Sequence, residues 1–177
     1  MAADQPDLTN VLLCETERLR LVALGPGDSL ELRELTDDRA ITETIDFLPS
    51  PFTQSDADAL IGNQRAECDR FFGIRDRRNG ELVGIIGAHL RDANEIEIGY
   101  WIGVNFQGRG YATEAVRELT GLLKHVFPSR QIIAECKAEN RASWRVLERV
   151  GFISAGVAGR RVGRQLLMIP RNGPLVS

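Results

Sequence analysis

Between Arg18 and Leu24 the chain reads RLRLVAL, with Leu19 and Leu21 alternating against arginines, which is the two-residue period of a half-buried strand. Pro26-Gly27 breaks that pattern. Asp28, with Glu31 three residues on, reads as a capping box that opens a helix carrying Leu30, Leu32 and Leu35. A second helix is predicted from Thr53, where Ala57, Leu60 and Ile61 share one face, and FLPSP between the two is turn chemistry. Phe71–Ile74 and Glu81–Leu90 are strand-like and flank RDRRNGE, whose Asn79-Gly80 signals a hairpin. Glu95–Ile102, EIEIGYWI, alternates cleanly. From about Gly110 the period becomes that of an amphipathic helix, with Ala112, Ala115, Val116, Leu119, Leu122, Leu123 and Val126 on one stripe and Pro128 as its limit. A strand over Gln131–Cys136, a helix over Ala142–Val150, and strands over Phe152–Val157 and Gln165–Ile169 complete the order. Seven strands and four helices in this order predict a mixed α/β sheet flanked by helices.

At 177 residues the chain has the length of one domain that can bury a core without staples. Residues 1–11 read as an N-terminal tail and 12–177 as a single domain. The three cysteines, Cys14, Cys68 and Cys136, are far apart, fit no metal-ligand spacing and cannot all pair. A reducing, cytoplasmic setting is therefore expected. The opening MAADQPDLTN has neither a basic region nor an apolar run, and no apolar span approaches the ~20 residues of a membrane helix, so neither secretion nor membrane insertion is expected.

Charge adds an asymmetry. Asp28 to Asp58 carries nine acidic residues against two arginines, a local balance of −7 within a net charge of −3. Arg141 to Arg171 reverses the bias, with seven arginines and one acidic residue, Glu148. Such runs commonly serve only as solvated faces, yet one acidic and one basic end suit a protein that brings a cation and a polyanion together. The overall acidity and the lack of a basic, aromatic-rich strand face argue against nucleic acid as a partner.

NFQGRGYATEAV, Asn105 to Val116, places two glycines between an alternating strand and an amphipathic helix. Glycines let backbone N–H groups turn toward one point, and a helix N-terminus adds partial positive charge there, which together make an anion nest. A glycine-rich connection that merely lets strand and helix pack would look similar. The stretch lacks the Gly-Lys-Ser/Thr of a Walker loop and the spacing of dinucleotide folds, which disfavours ATP and NAD.

Gln107-x-x-Gly110-x-Ala112 resembles the Q/R-x-x-G-x-G/A motif of the GNAT acyl-CoA N-acetyltransferases. ENRASWRVLERVGF, Glu139 to Phe152, is similar to the signature of the RimJ/RimL-type branch, as are ETERLRL and IEIGYWIG. The resemblance spans roughly Leu12 to Ile169. It implies a mostly antiparallel sheet of about seven strands with four helices, splayed between the fourth and fifth strands, where the pantetheine of acetyl-CoA lies. On that resemblance the backbone of Gln107, Gly108, Arg109, Gly110, Tyr111 and Ala112 holds the pyrophosphate, the peptides around Ile102 and Val104 bond the pantetheine, and Asn140 bonds the same arm while capping its helix.

The same resemblance implies direct attack of an amine on the thioester, with no metal. Glu97 in EIGYW matches a strand acid facing the acceptor groove and is the expected base, with Glu95 in reserve; either could be a plain exposed carboxylate. Many relatives carry a tyrosine in the asparagine helix to protonate the thiolate, but Arg141–Gly151 contains none, so Ser143 is the expected hydrogen-bond donor. The segment AGRRVGR, Ala158 to Arg164, departs from the aromatic- and acid-containing hairpin of relatives, which puts the transfer of any one relative's acceptor in doubt. The acceptor is expected to be a cationic amine, a protein or peptide N-terminus before a polyamine or aminoglycoside. A non-catalytic acetyl-CoA sensor is the rival of another class, and a homodimer is compatible with the sequence.

Overall fold

The computed structural model describes residues 7–11 and 13–171. Eight strands form one sheet: β1 (Leu13–Glu15), β2 (Leu19–Ala23), β3 (Asp69–Asp76), β4 (Leu82–Leu90), β5 (Glu95–Ile102), β6 (Gln131–Lys137), β7 (Ile153–Ala158) and β8 (Arg164–Met168). Their order is β1-β2-β3-β4-β5-β6-β8-β7, and every neighbouring pair is antiparallel except β5 and β6. The α-helices are α1 (Ser29–Thr36), α2 (Arg39–Thr42), α3 (Gln54–Gly62), α4 (Tyr111–Val126) and α5 (Arg141–Val150).

Two apolar layers sandwich the sheet. On one face α4 and α5 pack Val116, Leu119, Leu123 and Leu147 against Ile86, Ile96, Ile98 and Ile132. On the other, α1 to α3 pack Leu32, Ile41, Ala57 and Ile61 against Leu82, Ile85 and Trp101. Trp101 is fixed at its polar end, its Nε1–H donating to the buried Thr36 Oγ1 at 3.1 Å. The alternation in EIEIGYWI thus serves two cores, Ile96 and Ile98 facing one layer and Trp101 the other.

Four expectations need correction. β1 was not predicted; its three residues pair with Leu21, Val22 and Arg20 at the sheet edge, too short a run to show a period. α2 is likewise a single turn between longer elements. The tail expected over residues 1–11 is drawn in from residue 7 onward, with Leu8 and Val11 buried and Leu8 N–H donating to the Glu67 carbonyl. Asp28 and Glu31 do not form the expected capping box: both carboxylates turn to Arg75 on β3, each 2.6 Å from Nη2. Thr53, by contrast, caps α3 in a reciprocal box with Asp56.

β5 and β6 pair only from Glu95↔Gln131 to Ile98↔Ala134, although both strands continue past that point. The gap that opens beyond Ile98 positions everything that follows.

Candidate active site

The glycine loop closes one end of this gap. Gly108 and Gly110 adopt left-handed backbone at φ 74° and 80°, which a side chain would strain, and Gly110 is the N-cap of α4. A Cβ on Gly108 would meet no atom within 4 Å, and one on Gly110 would meet only Arg18, so the loop presents open backbone. Arg18 Nη1 donates to the Arg109 carbonyl at 3.0 Å, while Glu114 in the first turn of α4 is held by Arg18, 2.6 Å away. That pairing keeps the acidic residue of the first turn engaged beside the nest. The side chains of Tyr111 and Arg109 point elsewhere: Tyr111 is buried and donates to Asp76 at 3.0 Å, and Arg109 donates to the Asn105 carbonyl. Tyr111 can therefore serve an anion only through its backbone.

A cavity of about 690 Å³ runs from this loop along the gap, lined by Gln107, Gly108, Gly110, Ala112, Asn140 and Ser143. Gly103 N–H donates to the Val83 carbonyl, so strand alternation turns the peptide groups of Tyr100 and Ile102 the other way, into the gap. There the Ile102 carbonyl accepts from Gln107 Nε2 at 3.1 Å. Val104 begins a 3-10 turn at the end of the strand and is exposed. On the far wall Arg145 and Arg149, one helical turn apart on α5, line the same cavity. Among the described residues neither meets a carboxylate within ion-pair distance, unlike Arg160, Arg161 and Arg164. Open backbone donors and two free guanidiniums fit a polyanion.

At the gap itself Asn140 Oδ1 accepts from Ser143 N–H at 3.1 Å, the N-cap of α5, and Ser143 Oγ lies 2.8 Å from the Tyr100 hydroxyl. Burial raises the Tyr100 phenol well above its ordinary pKa, so the hydroxyl keeps its proton at neutral pH. Sequence reasoning passed over Tyr100 because it sought a tyrosine within α5. The signal was topological: a β5 residue reaches the start of α5 only where β6 has parted from β5.

A second cavity, about 620 Å³, opens on the α1–α3 face and shares Tyr100, Trp101, Asn140 and Ser143 with the first. Glu97 lines it but is only 4% exposed; Oε2 lies 2.6 Å from Arg91 Nε and Oε1 meets Arg161. Both carboxylate oxygens are thereby directed at guanidiniums. Glu95 lies outside the cavity lining and pairs with Arg160. Asp69 on β3 sits 3.0 Å from His89 Nδ1 on β4, and His89, directly across from Glu97, also lines the cavity. Burial, followed by Arg91, lowers the His89 pKa from 6.5 to about 4, so its ring is neutral at pH 7.

The basic hairpin accounts for the remaining charges. Arg161 Nε reaches Glu135 at 3.1 Å, and Arg164 Nε reaches Asp46 at 2.8 Å, where Lys137 joins it at 2.9 Å. Arg164, foremost, holds the Asp46 carboxyl below its ordinary pKa. The acidic segment expected to draw in a cation is partly neutralised in place: Asp28 and Glu31 share Arg75, Glu43 meets Arg39, and Asp46 meets Arg164 and Lys137. Among the described residues no group of three or more His, Cys, Asp or Glu is arranged to hold a metal ion, and no helix is long and apolar enough to cross a membrane.

Two cavities meet where the parallel strands part, one walled by the glycine loop and the other by aromatic and paired charged residues, an arrangement that suits a group transferase. Residues 18–153 match the model of the acetyltransferase (GNAT) domain. The uncharacterized N-acetyltransferase YnaD of Bacillus subtilis is 28% identical over 146 residues, covering 80% of this chain and 82% of that protein. The ribosomal-protein-serine acetyltransferase of Escherichia coli is 31% identical over 114 residues, 59% of this chain and 62% of that protein. Among solved structures, that of RimL, a ribosomal-protein alpha-N-acetyltransferase, in complex with coenzyme A superposes with a TM-score of 0.78 at 17% identity, covering 88% of this chain and 96% of RimL. The chain belongs to the GNAT acetyltransferase family and to its RimJ/RimL-type branch.

Proposed function

We propose that this acetyltransferase moves the acetyl group of acetyl-CoA to the α-amine of a protein or peptide N-terminus. The observation that carries this reading is the shared seam of Tyr100, Asn140 and Ser143 between a cavity fit for a polyanion and a cavity fit for an acceptor. The glycine-loop amides and Arg145 and Arg149 would hold the phosphates, and the peptides of Tyr100 and Ile102 would align the pantetheine. RimL, of the same fold, is described with coenzyme A bound, and the E. coli relative is named for a ribosomal protein.

In the reaction the amine nitrogen attacks the thioester carbon, the carbon–sulfur bond breaks with its electron pair leaving on sulfur as the CoA thiolate, and the nitrogen's proton goes to the base. Ser143 donates a hydrogen bond to the departing sulfur, with Tyr100 behind it as the hydroxyl that replenishes the serine's own hydrogen bond. A thiolate with a pKa of roughly 8.5 needs no more than that. On the acceptor side Glu97 takes the proton as Arg161 releases one oxygen, and the neutral His89, directly across from it, lines the same cavity. An engaged carboxylate favours an acceptor that is easily deprotonated. An α-amine of pKa ~8 loses its proton at pH 7 for about 1 kcal/mol, against roughly 4 to 5 kcal/mol for a lysine.

A thiol-release assay with acetyl-CoA against N-terminal peptides, polyamines and aminoglycosides tests the reading. Peptides acetylated at the α-amine are expected to turn over best. Turnover confined to polyamines or aminoglycosides would move the acceptor class, and acetyl-CoA binding without turnover on any amine would make the chain a sensor.

A further inference from the structure

We propose, building on the acetyl-transfer reading, that the acceptor peptide begins with an aromatic or bulky aliphatic residue, whose side chain rests on a floor made by Phe47, Phe71 and Trp101. These three rings lie 6.2 to 6.3 Å apart, centroid to centroid, each tilted or edge-on to the next. At that spacing they pack on one another and leave no slot between them, so a ligand meets them as a surface. Phe47 is 51% exposed, an unusual state for a phenylalanine in a cavity wall. The Trp101 N–H is already bonded to Thr36, so the indole offers the cavity only its apolar faces.

Charge decides against a cationic or anionic side chain here. Every carboxylate lining the cavity has a partner: Glu97 has Arg91 and Arg161, Asp69 has His89, Glu135 has Arg161, and Asp56 accepts from the Thr53 N–H at 2.7 Å. The guanidiniums of Arg91, Arg161 and Arg164 line the same cavity and are each held by a carboxylate, so a charged side chain would have to break an existing pair. An acidic side chain would have to displace an existing carboxylate. An uncharged apolar side chain breaks no pair and covers the exposed face of Phe47.

Space is provided by Gly99. It lies on the same face of β5 between Glu97 and Trp101, lines the cavity, and an added Cβ would meet no atom within 4 Å. A residue other than glycine would fill the room beside the aromatic floor.

The test uses the full chain and peptides identical except for a first residue of Phe, Leu, Ala, Ser, Lys or Asp, followed both by acetyl transfer and by calorimetric binding to the CoA-saturated protein. Phe and Leu peptides are expected to exceed Ala by about 10-fold or more in kcat/KM and in affinity, the discrimination an apolar pocket supplies. Phe47→Ala, at a half-exposed position, and Gly99→Leu are each expected to abolish that preference while leaving acetyl-CoA affinity unchanged, which also certifies their folding. Transfer that favours Ser, Ala, Lys or Asp overturns the proposal and leaves the acetyltransferase reading standing. Selective binding of Phe and Leu peptides without transfer keeps the floor and refutes the reaction. Absence of any selective peptide binding overturns the proposal outright.

Discussion

At the scale of single residues, the Tyr100–Ser143 contact makes the leaving-group side testable. Ser143→Ala is expected to lower kcat about tenfold to a hundredfold at every pH with acetyl-CoA affinity nearly intact, since one hydrogen bond to a charged group is worth roughly 1.5 to 3 kcal/mol. Tyr100→Phe should cost less and add little in the double variant, because the two hydroxyls act in one chain. Steady-state kinetics on the four proteins checks this, and additive losses would separate the pair. Glu97→Gln is expected to reduce the rate most near neutral pH, with the deficit closing as pH approaches the pKa of the amine. A pH-independent loss would instead make Glu97 a clamp for Arg91 and Arg161. Ser143, Asn140 and Glu97, which line the cavities, each stood in a local motif of the sequence. Tyr100, His89 and Asp69 were not legible there, because their partners are 43 and 20 positions away and are chosen by strand register.

At the scale of elements, the glycine loop was legible because left-handed backbone leaves a residue-type signature. Gly110→Val places a β-branched side chain at φ 80° and against Arg18, and is expected to weaken acetyl-CoA binding at least tenfold by calorimetry, in a protein of unchanged circular dichroism. Unchanged affinity would take the loop out of the site. The long elements were legible as well, since α4 keeps its apolar stripe over sixteen residues and β2 and β5 begin with alternating apolar and polar residues. What escaped were elements too short to show a period, β1 and α2, and the destination of charges. Asp28 and Glu31 fit a capping box by spacing, yet a guanidinium from a strand some 44 to 47 positions distant took both. The arginines of Ala158–Arg164 looked like a departure from relatives; in three dimensions they are the counter-ions of Glu95, Glu97, Glu135 and Asp46.

At the scale of the whole molecule, burial of His89 links folding to pH. Its folded pKa of about 4 lies below the ordinary 6.5, so between those values the unfolded chain binds a proton that the folded one does not. Stability is therefore expected to be full above about pH 6.5 and to fall as pH drops toward 4, by roughly 3 kcal/mol at most. Asp69 titrates below that window: although burial opposes it, the bonds from His89 and Arg65 hold its carboxyl down. His89→Gln should flatten the slope between pH 4.5 and 6.5 in denaturant melts, and an unaltered slope would place the sensitivity elsewhere. The Arg164 bridge carries a different consequence. Arg164 on β8 holds Asp46 and the Thr44 carbonyl, and so tethers the stretch that bears Phe47. One wall of the acceptor cavity is thus moored by an ion pair whose carboxylate is partly open to solvent, while the opposite wall is strand. With the Arg164 side chain 9% exposed, salt screens that pair only weakly, so the mooring depends on Asp46 itself. Cutting that mooring at Asp46 is then expected to act on how choosy the enzyme is, through the fit of the acceptor, before it acts on the fold.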